Sequence, residues 1–203
     1  KSKFKQYSEV SFRGNLTGAE VAAKMLHDNH IDDVKIESVE GQLTDHYNPV
    51  DKTVNLSPEV YNGRSVAAAA VAAHECGHAV QHAHAYMWLG LRSRLVPVLS
   101  VTSRWMQWIL LAGILTITIF PYLLLFGIVL FALTTAFSFI TLPVEFDASN
   151  RALAWLDTSG ITSSQEHEMA KDALKWAAMT YVVAALSSLA TLLYYLSIFL
   201  RRR

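Results

Sequence analysis

The stretch His74-Glu75-Cys76-Gly77-His78 decides how the rest of this sequence is interpreted. It has the pattern H-E-x-x-H and follows Val66–Ala73, a run made only of valine and alanine. Alanine has the highest helix propensity, and nothing in the run interrupts a turn. Ser65 stands directly before it as a candidate N-cap. The sequence therefore predicts one buried helix that carries the whole pattern.

The spacing of the two histidines indicates a metal site. Residues four apart lie on one face of a helix, so His74 and His78 can direct their imidazoles at one ion. Glu75 lies beside them, where it can accept a proton from a water that zinc has acidified to a pKa of roughly 7. Chance matches to H-E-x-x-H are common, but a buried helix seldom carries such polar groups without a use for them. The pattern predicts the zinc chemistry of a metallopeptidase.

Composition divides the chain into polar and strongly apolar parts. It has 203 residues, which fits one or two domains, and 17 basic residues balance 17 acidic ones. This balance gives no argument for a nucleic-acid partner. The mean hydropathy is +0.26, which is high for a soluble protein. The excess lies in two charge-free stretches, Trp105–Leu142 and Trp176–Leu200.

The single cysteine, Cys76, excludes a disulfide within the chain. Its direction on the helix differs from that of the histidines, so we interpret it as a small packing residue and not as a ligand. The chain begins at Lys1 and not at Met, so a further segment is expected upstream.

The part before the H-E-x-x-H helix is predicted to form a helix and a small mixed sheet. Thr17-Gly18-Ala19-Glu20 fits a capping box that opens a helix ending near His30. Alternating or β-branched stretches predict three short strands, Val34–Val39, Leu43–Tyr47 and Thr53–Leu56. In zinc peptidases such a sheet can offer an edge strand to which a substrate peptide adds.

After the motif we expect the helix to continue to about Leu89. His82 is four residues beyond His78 and is an alternative ligand. In the pair His78 and His82, however, no glutamate follows the first histidine as Glu75 follows His74. We interpret His82 and His84 as solvent-facing or supporting histidines. Pro97 is expected to interrupt the segment that follows.

The charge-free stretches predict three transmembrane helices. As one helix, Trp105–Leu142 would be roughly 57 Å long, nearly twice the ~30 Å hydrocarbon core of a bilayer. Two helices joined near Pro121 fit better, and Trp176–Leu200 is the third span. Between the spans, Glu145–Gly160 and Thr162–Lys175 are predicted to be separate amphipathic helices, the second with a capping box at its start.

These elements predict the fold class, an α-rich α+β membrane protein with a zincin-like H-E-x-x-H helix, a small β-sheet and three transmembrane helices. The expected divisions are residues 1–104 for the first part of the peptidase domain, 105–142 for a transmembrane hairpin, 143–175 for the segment with the third ligand, and 176–203 for the last span.

A catalytic zinc ion generally has three protein ligands and one open position. A hairpin over Trp105–Leu142 returns the chain to the side of His74, and Glu145 and Asp147 are the first charged residues it delivers. The alternative is that these carboxylates form only a solvated flank of the membrane segment.

Four stretches together resemble the YugP-type membrane-bound neutral zinc metallopeptidases. They are Leu43-Thr44-Asp45-His46-Tyr47-Asn48-Pro49, Ala72-Ala73-His74-Glu75-Cys76-Gly77-His78-Ala79-Val80-Gln81, Leu142-Pro143-Val144-Glu145-Phe146-Asp147-Ala148-Ser149 and Thr180-Tyr181-Val182. The layout is also similar to that of the HtpX-like and CAAX-prenyl-type proteases. The family usually has one more hydrophobic segment at its N-terminus.

The resemblance implies roles for single residues. His74, His78 and Glu145 match the zinc ligands, and Glu75 matches the general base. The related pattern E-x-x-x-D has serine here, at Ser149, which leaves the supporting partner of a zinc histidine unassigned. Candidates for the oxyanion donor are His46, His167 and Tyr181, each open to a structural explanation.

The leading hypothesis is an integral-membrane zinc metalloendopeptidase whose substrates are proteins or peptides, among them membrane or misfolded proteins. The alternative is a membrane protein with a structural or degenerate zinc site that acts as an adaptor. A structural site generally has four ligands, often cysteines, whereas this chain has one cysteine and an intact Glu75.

The expected location is the cell membrane, crossed several times, with the catalytic side in the cytoplasm. The positive-inside rule supports this orientation, although Arg201–Arg203 oppose it. The supporting basic residues flank the spans on the motif side: Arg92, Arg94, Arg104, Arg151, Lys171 and Lys175.

Overall fold

The computed structural model of the protein describes residues 2–42 and 44–201, and in this part the chain is mostly helical. The elements in chain order are α1 (Ser2–Ser8), α2 (Gly18–Asp28), β1 (Lys35–Ser38), β2 (His46–Asn48), β3 (Thr53–Leu56), α3 (Pro58–Tyr61), α4 (Val66–Ala83), α5 (Met87–Leu115), α6 (Pro121–Thr158) and α7 (Ser164–Arg201). The chain forms two compact units, one of residues 1–89 and 144–179 and the other of residues 90–143 and 180–203. The predicted combination of a small sheet and three long apolar helices is confirmed.

The sheet of the first unit has the order β1-β3-β2. β1 runs parallel to β3 and β2 runs antiparallel to it, so the sheet is mixed, as predicted. The side chains of the central strand β3 are buried, whereas His46 at the start of β2 is exposed. β2 begins later than predicted, and Leu43, which opened that prediction, lies outside the described residues.

Helix α4 lies at the centre of the first unit. The Ser65 side chain caps it, because its Oγ accepts a hydrogen bond from the amide of Ala68 at 3.2 Å. Small side chains allow close packing on several sides, and Cys76 is fully buried, with its thiol directed at the carbonyl oxygen of Ala22 in α2. Burial raises the pKa of this thiol. Cys76 is therefore a packing residue, in agreement with the sequence interpretation.

Both predicted capping boxes are present. The Thr17 hydroxyl accepts from the amide of Glu20 at 3.2 Å, and the Glu20 carboxylate accepts from the amide of Thr17 at 2.7 Å. Ser163 and Glu166 make the same reciprocal pair at the start of α7. Each pair satisfies two backbone donors that a helix N-terminus would leave free.

The predicted extension of the motif helix to Leu89 is wrong, because α4 ends at Ala83. Ala85 adopts a left-handed backbone with φ of 50°, and the amide of Tyr86 donates to the carbonyl of Gln81 at 2.9 Å. This is the hydrogen bond of a Schellman ending, which commonly uses glycine. An alanine at that position gives no sequence signal. The prediction that Pro97 interrupts the next segment is also wrong, since α5 continues through it.

In the second unit, α5 and α6 pack together at their glycines. A Cβ on Gly113 would lie 2.6 Å from the Cα of Leu124, and one on Gly127 would lie 2.8 Å from a methyl carbon of Leu110. Small residues are the usual means by which membrane helices approach closely. The break between α5 and α6 places Pro121 at the first position of α6, which confirms the predicted division.

α5, α6 and α7 are each long and apolar enough to cross a membrane. The expected separate helices, Glu145–Gly160 and Thr162–Lys175, are instead the polar parts of α6 and α7, which continue through Pro143 and Trp176. The change from apolar to polar residues marks a change in what surrounds the helix and not the end of the helix.

Candidate metal centre

Three of the predicted site residues come together in the first unit. The Nε2 atoms of His74 and His78 lie 3.3 Å and 3.7 Å from Oε2 of Glu145. The ligand atoms of all three residues lie within 4.8 Å of one another, and the group is largely buried, Glu145 being 2% exposed. These residues form a group that can hold a metal ion.

Gly77 allows α4 and α6 to approach closely at this group. A Cβ at Gly77 would lie 2.5 Å from the carbonyl oxygen of Ala148, three residues after Glu145. Real Cβ atoms do not come this near to a backbone oxygen. The absence of a side chain at Gly77 therefore brings the helix of Glu145 within reach of both histidines.

Replacing Gly77 with Ala is expected to force α6 away from α4, since the clashing atoms belong to the backbone and cannot rotate aside. Overpacking of this kind costs about 1–3 kcal/mol, and zinc binding should weaken with it. Thermal unfolding in detergent and zinc titration measure both effects. Gly90→Ala is the matched control, because a Cβ there meets nothing within 4 Å. Equal behaviour of the two variants would contradict the close-approach explanation.

The other ring nitrogens of the histidines have partners of their own. His78 Nδ1 lies 3.0 Å from Oε1 of Gln81, and His74 Nδ1 lies 3.1 Å from Oγ of Ser149. Each imidazole thus has a hydrogen-bond partner at its Nδ1 atom, while its Nε2 atom faces Glu145. Ser149 supplies the partner that the sequence left unassigned. Sequence reasoning missed Gln81, although a glutamine one turn after the second histidine was a usable signal.

Glu75 is buried, and burial raises the pKa of its carboxyl group to about 7. The nearby His74 opposes this increase, whereas Glu145 and Asp45 add to it. A divalent cation in the centre would lower the pKa of Glu75 again, because it favours the ionised form. Burial therefore raises the proton affinity of the Glu75 carboxylate, and a bound cation would lower it.

The start of β2 lies within electrostatic range of Glu75, since the charge of Asp45 raises the pKa of Glu75 and that of His46 lowers it. The Asp45 carboxylate accepts from the amide of Ser57 at 2.8 Å and from its hydroxyl at 3.1 Å, which fixes the chain before β2. Of the residues suggested as oxyanion donors, His46 is thus placed near the base. His167 belongs to the first turn of α7, and Tyr181 belongs to the second unit.

The remaining histidines of the motif region have other contacts. His82 Nδ1 lies 2.7 Å from the hydroxyl of Tyr47, whose pKa burial raises to about 12. His84 Nδ1 lies 3.3 Å from Nη1 of Arg151. Both histidines are exposed, which agrees with the interpretation of solvent-facing or supporting residues.

The donor set fits zinc. Two imidazole nitrogens and one carboxylate oxygen are a recurrent set in catalytic zinc sites. With bonds of roughly 2.0–2.1 Å and tetrahedral angles, two ligand atoms lie about 3.4 Å apart. The carboxylate-to-imidazole distances of 3.3 Å and 3.7 Å are close to this separation.

The fold and this group define a class of protein, a mostly helical protein with three helices long and apolar enough to cross a membrane and a buried group of two histidines and one glutamate that can hold a metal ion. The chain belongs to the family described as "Putative neutral zinc metallopeptidase", whose sequence model matches residues 1–200. It is 43% identical to the "Putative membrane protease YugP" of Bacillus subtilis (strain 168), over all of this chain and 89% of that protein. No solved structure matches the chain. The resemblance noted from the sequence is thereby confirmed.

Proposed function

We propose that this chain is an integral-membrane zinc endopeptidase in which His74, His78 and Glu145 hold Zn²⁺ and Glu75 is the general base. The observation that carries the proposal is the convergence of the Nε2 atoms of His74 and His78 on one buried oxygen of Glu145. A second buried carboxylate, that of Glu75, directly follows His74 in the sequence. The donor set leaves room for a further ligand, as a catalytic site requires.

When bound, zinc supplies a Lewis acid that polarises a peptide carbonyl and acidifies a water. Glu75 accepts the proton of that water as the water attacks the carbonyl carbon. Glu75 then returns the proton to the amide nitrogen as the peptide bond breaks. The burial of Glu75 and its position directly after His74 in the sequence support this role, because burial raises the proton affinity of the carboxylate that has to accept the proton.

The exposed edge of the sheet is a suitable place for the substrate. In the described part of the chain β2 pairs with β3 on one side only, so a peptide can add along its other side through backbone hydrogen bonds. We propose that His46, an exposed residue at the first position of β2, then donates to the carbonyl oxygen of the scissile bond. This arrangement would select an extended segment and not a folded one.

The alternative of a structural or degenerate site acting as an adaptor has less support. A structural zinc site is generally closed by four protein ligands, and Cys76, the cysteine of the chain, packs against α2. Glu75 would have no use in an adaptor, and burying an unused carboxylate is costly.

Metal analysis of the detergent-purified protein beside a peptide-cleavage assay tests the proposal. We expect about one zinc per chain, cleavage of a fluorogenic peptide or casein, loss of cleavage with a chelator, and recovery when zinc is returned. Bound zinc without any cleavage would favour the adaptor. Cleavage that resists complete removal of the metal would overturn the proposed mechanism.

We further propose that the protein spans the cell membrane several times with its metal centre on the cytoplasmic side. Cysteine labelling in intact cells checks the orientation, and the buried Cys76 gives little background. Val50, which is 87% exposed, is a suitable position for the label in the first unit. A membrane-impermeant maleimide should label Ile119→Cys, in the turn between α5 and α6, but should label Val50→Cys only after permeabilisation. The reverse pattern would show the opposite orientation.

A further inference from the structure

Gln81 connects the candidate metal centre to α6. It lies in the last turn of α4, three residues after His78, and its side chain is completely buried. Its Oε1 is 3.0 Å from Nδ1 of His78, and its Nε2 is 2.8 Å from both the carbonyl oxygen of Val144 and Oδ2 of Asp147. All three of these contacts lie in the first unit.

The partners on α6 determine the orientation of this amide. Val144 offers a carbonyl oxygen and Asp147 a carboxylate oxygen, and both can only accept. The NH₂ group of Gln81 must therefore face them, because the opposite orientation would place three oxygens together. It follows that Oε1 of Gln81 faces His78.

An acceptor at Nδ1 determines the form of the His78 ring. Nδ1 must carry the hydrogen that it donates to Gln81, so in the neutral ring the lone pair is on Nε2. Nε2 is the atom that faces Glu145. The amide of Gln81 thus selects the tautomer that a metal ligand needs.

Asp147 is held in turn by Arg151. The guanidinium Nε donates to Oδ2 of Asp147 at 2.6 Å, one helical turn away on α6. Asp147 is thereby kept as an acceptor for Gln81. Val144, whose carbonyl accepts from Gln81, directly precedes Glu145. The contact therefore also fixes the position of the Glu145 backbone relative to His78.

We propose that Gln81 and Asp147 are positioning residues of the metal centre, Gln81 by fixing the ring of His78 and Asp147 by fixing the amide of Gln81. This inference rests on the proposed role of His78 as a zinc ligand. Metal-bound histidines generally donate their second ring N–H to a carboxylate or carbonyl, and losing that partner commonly costs about 10–100-fold in metal affinity. In this centre the neutral amide of Gln81 is the acceptor for the histidine, and the same amide donates to the carboxylate of Asp147.

The test compares zinc affinity, by chelator competition, and the visible spectrum of the cobalt-substituted protein. Q81M removes the polar atoms at nearly constant size and should weaken zinc binding about 10–100-fold and change the cobalt spectrum. Y7F is the control, since it removes a hydrogen bond of 2.7 Å to Asp172 elsewhere in the same unit, and should leave both readouts unchanged.

Exchanging the amide of Gln81 and the carboxylate of Asp147 tests whether these two residues act as a pair. In Q81E a carboxylate would face Asp147 and the carbonyl of Val144, so zinc binding should weaken. Adding D147N supplies an amide donor opposite the new carboxylate, and the Q81E/D147N double variant should bind zinc at least several-fold more tightly than Q81E. A merely structural contribution of Gln81 predicts no such recovery of zinc affinity.

The outcomes separate this inference from the proposed function. If H78A loses zinc while Q81M binds it with wild-type affinity, or if the double variant binds no more tightly than Q81E, the positioning role is overturned. If the wild-type protein takes up no zinc, or H78A binds it normally, both the proposed centre and this inference fail.

Discussion

Replacing Glu145 should abolish stoichiometric zinc binding. The Glu145 carboxylate is buried and lies within 3.7 Å of both histidine Nε2 atoms, and within residues 2–42 and 44–201 it is the carboxylate that groups with both histidines. Loss of a supporting residue commonly costs about 10–100-fold in metal affinity, and loss of a direct ligand should exceed that range. E145A and the near-isosteric E145Q should therefore both be purified without zinc, as measured by metal analysis, and both should be inactive.

Asp147→Ala is the matched control for this prediction. Asp147 is two residues from Glu145, but its carboxylate contacts Gln81 and Arg151 on another face of α6. Its variant should still bind one zinc at saturating concentration, with a reduced affinity only. If E145Q kept stoichiometric zinc while D147A lost it, the assignment of the third ligand would be wrong.

Glu75→Gln should separate metal binding from hydrolysis. The amide keeps the size of the side chain but cannot accept a proton, so zinc content should stay near that of the wild type. A positioned acid–base group commonly contributes about 10²–10⁴-fold to the rate, and peptide cleavage should fall by at least this factor. Single-turnover cleavage beside metal analysis measures both quantities.

Glu168→Gln serves as the control for Glu75, since Glu168 is an exposed carboxylate paired with Lys171. It should cleave peptides at the wild-type rate. Substantial turnover by E75Q, within a few-fold of this control, would refute the role of Glu75 as the base. Loss of zinc from E75Q would instead assign the residue to metal binding.

Local patterns in the sequence determined several features without any structure. The alanine-rich run with Ser65 before it predicted α4, and the two capping boxes predicted the starts of α2 and α7. The spacing of His74 and His78 placed both imidazoles on one face, and the lengths of the charge-free stretches predicted three spanning helices. These features depend on interactions between residues at most a few positions apart, which is why a sequence reveals them.

The tertiary structure decided which groups meet across the chain. Glu145 and Asp147 were both near the end of the predicted hairpin, and the family resemblance, not a local pattern, selected Glu145. The packing of α6 on Gly77 is what brings that carboxylate to the histidines. Ser149 and Gln81 became partners of the histidines through the same packing. The end of α4 at Ala83 also escaped prediction, because alanine has no intrinsic preference for the left-handed conformation that Ala85 adopts just after the helix. Such features depend on contacts between residues far apart in sequence, and no local pattern records them.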